Sequence, residues 1–76
     1  MISITILYFA HLRGTRGVSE ETLRLEQSIS VGALFSQIFN MSPIGIRFAI
    51  DAEYVSADTL ISDGDEIAFL PPMGGG

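Results

Sequence analysis

Ser30-Val31-Gly32-Ala33-Leu34-Phe35-Ser36-Gln37-Ile38-Phe39 is the stretch of this 76-residue chain that carries a helical period. Val31, Leu34, Phe35, Ile38 and Phe39 fall at i, i+3, i+4, i+7 and i+8, which gathers them into one apolar stripe. The Ser30 hydroxyl is suited to accept from the first free amides of the helix. Pro43 and Gly45 halt the helix soon after Asn40. A helix with one apolar stripe needs one apolar surface to lie on, and the face of a sheet supplies it most economically.

The sequence on either side supplies that sheet. Ile2-Ser3-Ile4-Thr5-Ile6 alternates with period 2 and is rich in β-branched residues, as a half-buried strand is. Ala10 to Gly17 reads as a loop or short helical turn closed by Gly14 and Gly17, and Thr22-Leu23-Arg24-Leu25-Glu26 as a second strand. Beyond the helix, Arg47 to Asp51 reads as a third strand with Phe48 and Ile50 on one face, followed by a short strand at Tyr54-Val55. The turn Ser62-Asp63-Gly64-Asp65, with Gly64 suited to a left-handed position, feeds a last strand from Glu66 to Leu70. Strand, strand, helix, strand, short strand, strand is the order of an α+β β-grasp (ubiquitin-like) fold. It has a mixed sheet of about four or five strands and one main helix on one face. The expected division is a β-grasp domain over 1–70 and a flexible Pro-Pro/Gly-rich tail over 71–76.

Composition narrows the function. Nine acids stand against four arginines and no lysine, for a formal net charge of -5, which argues against nucleic acid and membrane partners and suits a partner with a basic docking face. Without lysine the chain cannot build side-chain isopeptide links on itself. There is no cysteine, hence no disulfide or thiolate metal site, which fits a reducing, cytoplasmic location. No secretory signal and no apolar run near the roughly 20 residues of a membrane span is visible. His11 lies beside Arg13 without an acidic orienting residue nearby, and Glu20-Glu21 and Asp63, Asp65, Glu66 read as solvated turn clusters. No cofactor-binding or metal-binding set is therefore expected, and the chain is not expected to catalyse on its own.

The remaining chemistry lies at the end of the chain. Pro71 and Pro72 lack amide donors, so they end strand pairing and project the chain away from the sheet. Met73-Gly74-Gly75-Gly76 then presents backbone free of bulk, which can be threaded into a partner's active site. The Gly76 carboxylate becomes reactive once activated, for example as an acyl-adenylate, after which a sulfur donor can displace the nucleotide and leave a thiocarboxylate.

Asp63-Gly64-Asp65-Glu66-Ile67-Ala68-Phe69-Leu70-Pro71-Pro72-Met73-Gly74-Gly75-Gly76 resembles the terminal signature of the small subunit of molybdopterin synthase, the MoaD-type sulfur carrier, and Leu7-Tyr8-Phe9-Ala10-His11-Leu12-Arg13 resembles that family's first-strand motif. The resemblance implies that a ubiquitin-activating-like adenylyltransferase spends ATP on the Gly76 carboxylate and that a sulfur donor protein yields the thiocarboxylate. The tail, through Pro71, Pro72, Met73, Gly74 and Gly75, would enter the large synthase subunit and give sulfur to cyclic pyranopterin monophosphate within a heterotetramer. Three positions depart from the family pattern: Gly74 where Ser or Ala is more frequent, Asp51 where Asn is frequent, and a short Asn40–Arg47 stretch. Other carriers, for thiamine, cysteine or tRNA thiolation, share the Gly-Gly end. A ubiquitin-like modifier and a plain binding module are the further alternatives.

Strand parity adds a docking surface. If Ile2, Ile4 and Ile6 face the helix, then Leu7 and Phe9 face out, as do Ala68 and Leu70 of the last strand, and Tyr54 extends the patch. The expected partner-binding set is Leu7, Phe9, Tyr54, Ala68 and Leu70, at the base of the tail.

Overall fold

The computed structural model describes residues 1–72. Seven elements follow one another: β1 (Ile2–Tyr8), α1 (His11–Arg16), β2 (Glu20–Leu25), α2 (Val31–Phe39), β3 (Arg47–Ile50), β4 (Glu53–Val55) and β5 (Glu66–Leu70). The strands form one mixed sheet in the order β2-β1-β5-β3-β4. Only β1 and β5 run parallel, pairing Thr5 with Glu66, Ile6 with Ile67, Leu7 with Ala68 and Tyr8 with Phe69. The first and last strands are thus neighbours at the centre, as the β-grasp order requires.

The α2 stripe lies on the sheet as its period predicts, with Val31, Leu34 and Phe35 essentially inaccessible and Ile38 and Phe39 packed against them. Ser30 caps the helix, its hydroxyl accepting from the Ala33 amide at 3.1 Å. The segment after β4 straps the same end. The Val31 and Gly32 amides donate to the Thr59 and Ala57 carbonyls, each at 2.9 Å, so two amides that a helix start leaves orphaned are satisfied. That strap explains Gly32, because a Cβ there would meet the Ala57 Cβ at 2.9 Å. Asn40, in a left-handed conformation, ends the helix before Pro43 and Gly45 are reached.

Against α2 the sheet presents Ile4, Ile6, Tyr8, Phe48, Ile67 and Phe69, all buried. Phe69 is the hub. Its ring meets Phe35 at 5.3 Å and Phe48 at 5.7 Å, both nearly perpendicular, and also contacts Tyr8 and Phe39. Edge-to-face pairs of this kind add about 0.5–1.5 kcal/mol each beyond the area they bury. The central strand is thus pinned to the helix one residue before Leu70.

Several local readings change. Of the two readings for 10–17 the helical one holds, as residues 11–16 form a short helix, but Gly14 lies inside it and only Gly17, at φ 81°, closes it. Its Leu12 is a core residue with no exposure. The second strand starts at Glu20, so Glu20 and Glu21 belong to β2 and not to a solvated turn. The carboxylates of the last turn are structural: Asp63 Oδ1 accepts from the Ser3 amide at 2.7 Å and Asp65 Oδ2 from the Ser62 amide at 2.8 Å. Gly64 adopts φ 87° between them, as the turn demands.

Candidate functional site: the root of the tail

The tail root is built by β5 and its two neighbours. Leu70 is half-buried and pairs with Arg47 of β3. Pro71 is buried and Pro72 exposed, so the packed body extends one residue past the strand. Pro72 Cγ lies 4.0 Å from where a Cβ on Gly45 would sit, so the chain leaves the body alongside the loop that precedes β3. Met73, Gly74, Gly75 and Gly76, including the carboxylate named as the reactive group, lie outside the described residues.

An open groove of about 780 Å³ surrounds this exit, lined by Phe9, Ala10, Gly45, Arg47, Tyr54, Leu70, Pro71 and Pro72. Three of the five expected docking residues, Phe9, Tyr54 and Leu70, are brought together here. Leu7 and Ala68 are not in its wall. They continue the surface as a cross-strand row, because Leu7 pairs with Ala68, Ala68 with Ala49 and Ala49 with Tyr54. Residues directly opposite in neighbouring strands share a face, so this row runs across the side of the sheet away from α2. Tyr54 is 71% exposed and Phe9 36%, while Leu7 and Ala68 are half-buried. The row ends at Glu20, which pairs with Leu7, and Glu66 lies one pair along on the same face. The surface is therefore apolar with an acidic margin, and Arg47 is the cation in the groove.

Across residues 6–76 the chain matches the family model described as the ThiS family. The chain belongs to the ThiS family. Two relatives named molybdopterin synthase sulfur carrier subunit, from Chlamydomonas reinhardtii and Homo sapiens, are each 35% identical to it; the alignments cover 99% and 100% of this chain and 100% and 97% of theirs. In structure it resembles the putative molybdopterin converting factor subunit 1 of Pyrococcus furiosus, at a TM-score of 0.78 and 25% identity, over 96% of this chain and 100% of that one.

Two features of this ThiS-family chain were not legible from its linear pattern. The first is the groove wall at Arg47, whose guanidinium lies over the Tyr54 ring with its carbon 5.9 Å from the ring centroid. Parity applied to β3 as well as to β1 and β5 finds it, since Arg47 and Ala49 alternate with the buried Phe48. The second is a cluster behind Phe9. The Tyr8 side chain is buried with only its hydroxyl reaching out to Glu21, and Arg16 donates to the same Glu21 Oε1, with Nε at 3.1 Å. Burial foremost, and then the Glu21 carboxylate, push the Tyr8 hydroxyl well above its ordinary pKa. The Tyr8 and Arg16 hydrogen bonds hold the Glu21 carboxyl below the usual carboxylate range. This cluster ties α1 and β2 to the end of β1.

Asp51, one of the three departures from the family pattern, is bonded to the start of β5. Its Oδ1 accepts from the Glu66 amide at 3.0 Å and its own amide donates to the Glu66 carbonyl at 2.8 Å, with φ at 50°. Asp and Asn tolerate that conformation better than most residues. No helix occupies 40–46, in keeping with the shortness of that stretch. Among the described residues no cluster of His, Asp or Glu is placed to hold a metal ion, and no helix is long and apolar enough to cross a membrane.

Proposed function

We propose that this chain is the sulfur carrier subunit of a molybdopterin synthase, with the Gly76 carboxylate as its reactive group. The observation that carries the reading is the full-length match to two relatives bearing that name. The chemistry proceeds stepwise. A partner adenylyltransferase joins the Gly76 carboxylate to the AMP moiety of ATP and releases pyrophosphate. The outer sulfur of a persulfide on the sulfur donor protein then attacks the acyl carbon and expels AMP, giving an acyl disulfide. A thiol reductant cleaves that S–S bond, taking the donor cysteine into a new disulfide and leaving the thiocarboxylate. The domain contributes delivery: the body, packed as far as Pro71, is the anchor, and the residues beyond it are the tail that reaches the large synthase subunit and gives sulfur to cyclic pyranopterin monophosphate. The apolar face formed by Leu7, Phe9, Tyr54, Ala68 and Leu70 serves both the adenylyltransferase and the large subunit in turn, which makes the two complexes mutually exclusive.

Intact mass spectrometry tests the chemistry. Incubation with ATP, an adenylyltransferase and a sulfur source is expected to exchange one oxygen for sulfur at the terminus, and deletion of Gly75-Gly76 to abolish the exchange without lowering the melting temperature. A mass unaltered under those conditions overturns the carrier role. Sulfur that charges the terminus but does not pass to a pyranopterin assigns the carrier to another pathway, and a stable link to lysines of other proteins marks a modifier. Phe9→Ser with Leu70→Ser is expected to weaken both complexes while the domain stays folded. Unchanged affinity for both removes the docking face from the proposal.

A further inference from the structure

Arg47 stands out in a chain with nine acids, four arginines and no lysine. It is exposed, yet it is placed inside the wall of the tail-root groove, paired in register with Leu70 and flanked by Phe9, Tyr54 and Pro71. Among the described residues the salt bridge formed is Arg16 with Glu21, and Arg47 is paired with none of their carboxylates. Glu66 on the same face makes its backbone bonds with Asp51, at the opposite end of β5. The Tyr54 ring, 5.9 Å away, supports the guanidinium on one side. That contact leaves the guanidinium on the groove wall with an aromatic face beside it.

A partner that covers this groove strips water from the guanidinium. A desolvated guanidinium with no acceptor is costly, and an arginine cannot shed its charge to escape the penalty. A purely apolar partner surface therefore cannot close over the groove. We propose that Arg47 is a specificity residue of the tail-root surface, selecting a protein partner that inserts a carboxylate side chain, framed by apolar groups, between Tyr54 and Leu70. A carboxylate matches the guanidinium fork with two parallel hydrogen bonds and cancels its charge, which neither a hydroxyl nor a single carbonyl does. The charge requirement at this point is opposite to that of the acidic margin at Glu20 and Glu66. The fitting partner therefore carries basic residues around its rim and an acid at the centre of its contact.

The inference rests on the sulfur-carrier reading for its probe, the isolated large subunit of a molybdopterin synthase. Binding of the full chain to that subunit is measured by titration calorimetry for the unsubstituted protein and for Arg47→Ala, Arg47→Lys, Arg47→Glu and Phe9→Ser. Loss of the buried pair in Arg47→Ala is expected to weaken binding roughly 30-fold or more, with Arg47→Glu weaker still. Arg47→Lys is expected to recover only part of the affinity, since an ammonium loses the two-pronged geometry. Double-mutant cycles of Arg47→Ala against single Asp→Asn and Glu→Gln variants of the large subunit should show one strongly coupled carboxylate. Thermal melts of all four variants separate binding from folding, and the Arg47 variants are expected to lose no more stability than the contact with Tyr54 carries, far less than the loss in binding. If Arg47→Glu binds like the unsubstituted chain while Phe9→Ser does not, the role given to Arg47 is wrong and the sulfur-carrier reading stands. The absence of any coupled carboxylate likewise overturns the role. If the unsubstituted chain itself fails to bind, both the carrier reading and this inference fall.

Discussion

The two faces of the one sheet are made from alternate residues of the same strands, yet they are built to different rules. Toward α2 the side chains are large, rigid and closed: Ile4, Ile6, Tyr8, Phe48, Ile67 and Phe69 retain almost no exposure. Away from α2 the central pairs are Ala68 and Ala49, with Leu7 and Tyr54 on either side and nothing packed over Tyr54. Small residues at the middle of an uncovered face keep it shallow and limit the apolar surface left in water. The inner face thus carries the stability, and the outer face adds little to it.

Stability measurements on the two faces can break that division. Phe35→Ala removes a ring that touches Phe39, Phe48 and Phe69 and leaves a void under the helix. The expected loss is about 3–5 kcal/mol by denaturant titration, enough to threaten folding in so small a domain. Next comes Glu21→Ala, which strands the buried Tyr8 hydroxyl and is expected to cost about 1–3 kcal/mol. The same residue sets a pH dependence. Because the folded Glu21 carboxyl is depressed, its contribution is complete above about pH 4.3, the ordinary carboxylate value, and is lost as pH falls below it. The Tyr8 hydroxyl is raised, so its contribution is complete below about pH 10 and fades above it. Melting temperatures of Glu21→Ala should accordingly show flatter acid and alkaline limbs than the unsubstituted chain; limbs of equal steepness would contradict the cluster.

Smaller effects sharpen the contrast. Ser30→Ala removes the α2 cap and is expected to cost about 1 kcal/mol, read from the denaturation midpoint at constant slope. Tyr54→Ser, on the open face, should cost at most about 1 kcal/mol, the worth of its contact with Arg47. A loss for Tyr54→Ser comparable to that for Phe35→Ala would show that the outer face is part of the core.

What the linear pattern disclosed, and what it hid, follows the same division. The α2 stripe, its Ser30 cap and the alternation of β1 and β5 are local periodicities, and they suffice to order the sheet and to say which way Leu7, Phe9, Ala68 and Leu70 point. Leu12 was not legible because a lone leucine among polar residues in a six-residue helix leaves no period to detect. Ile61 was hidden because it is buried from an irregular segment, its amide donating to the Ile29 carbonyl. Glu21 looked like a solvated acid because its partner, Tyr8, lies thirteen residues away across a strand pair. The alternation of β3 puts Arg47 on the outer face, but its place beside Leu70 needed the register of β3 against β5, which periodicity alone does not provide.

The parallel pairing of β1 with β5 has a mechanical consequence. Tension applied along the tail loads β5 lengthwise, against hydrogen bonds to β1 on one side and β3 on the other that lie across the pull. Those bonds share the load and must fail together; they cannot peel one at a time. Phe69, locked among four rings, is the first inward-facing side chain that such tension meets. A pull on the chain beyond Pro72 is therefore resisted by two neighbouring strands at once, and the domain holds its shape like a cleat at the end of a rope.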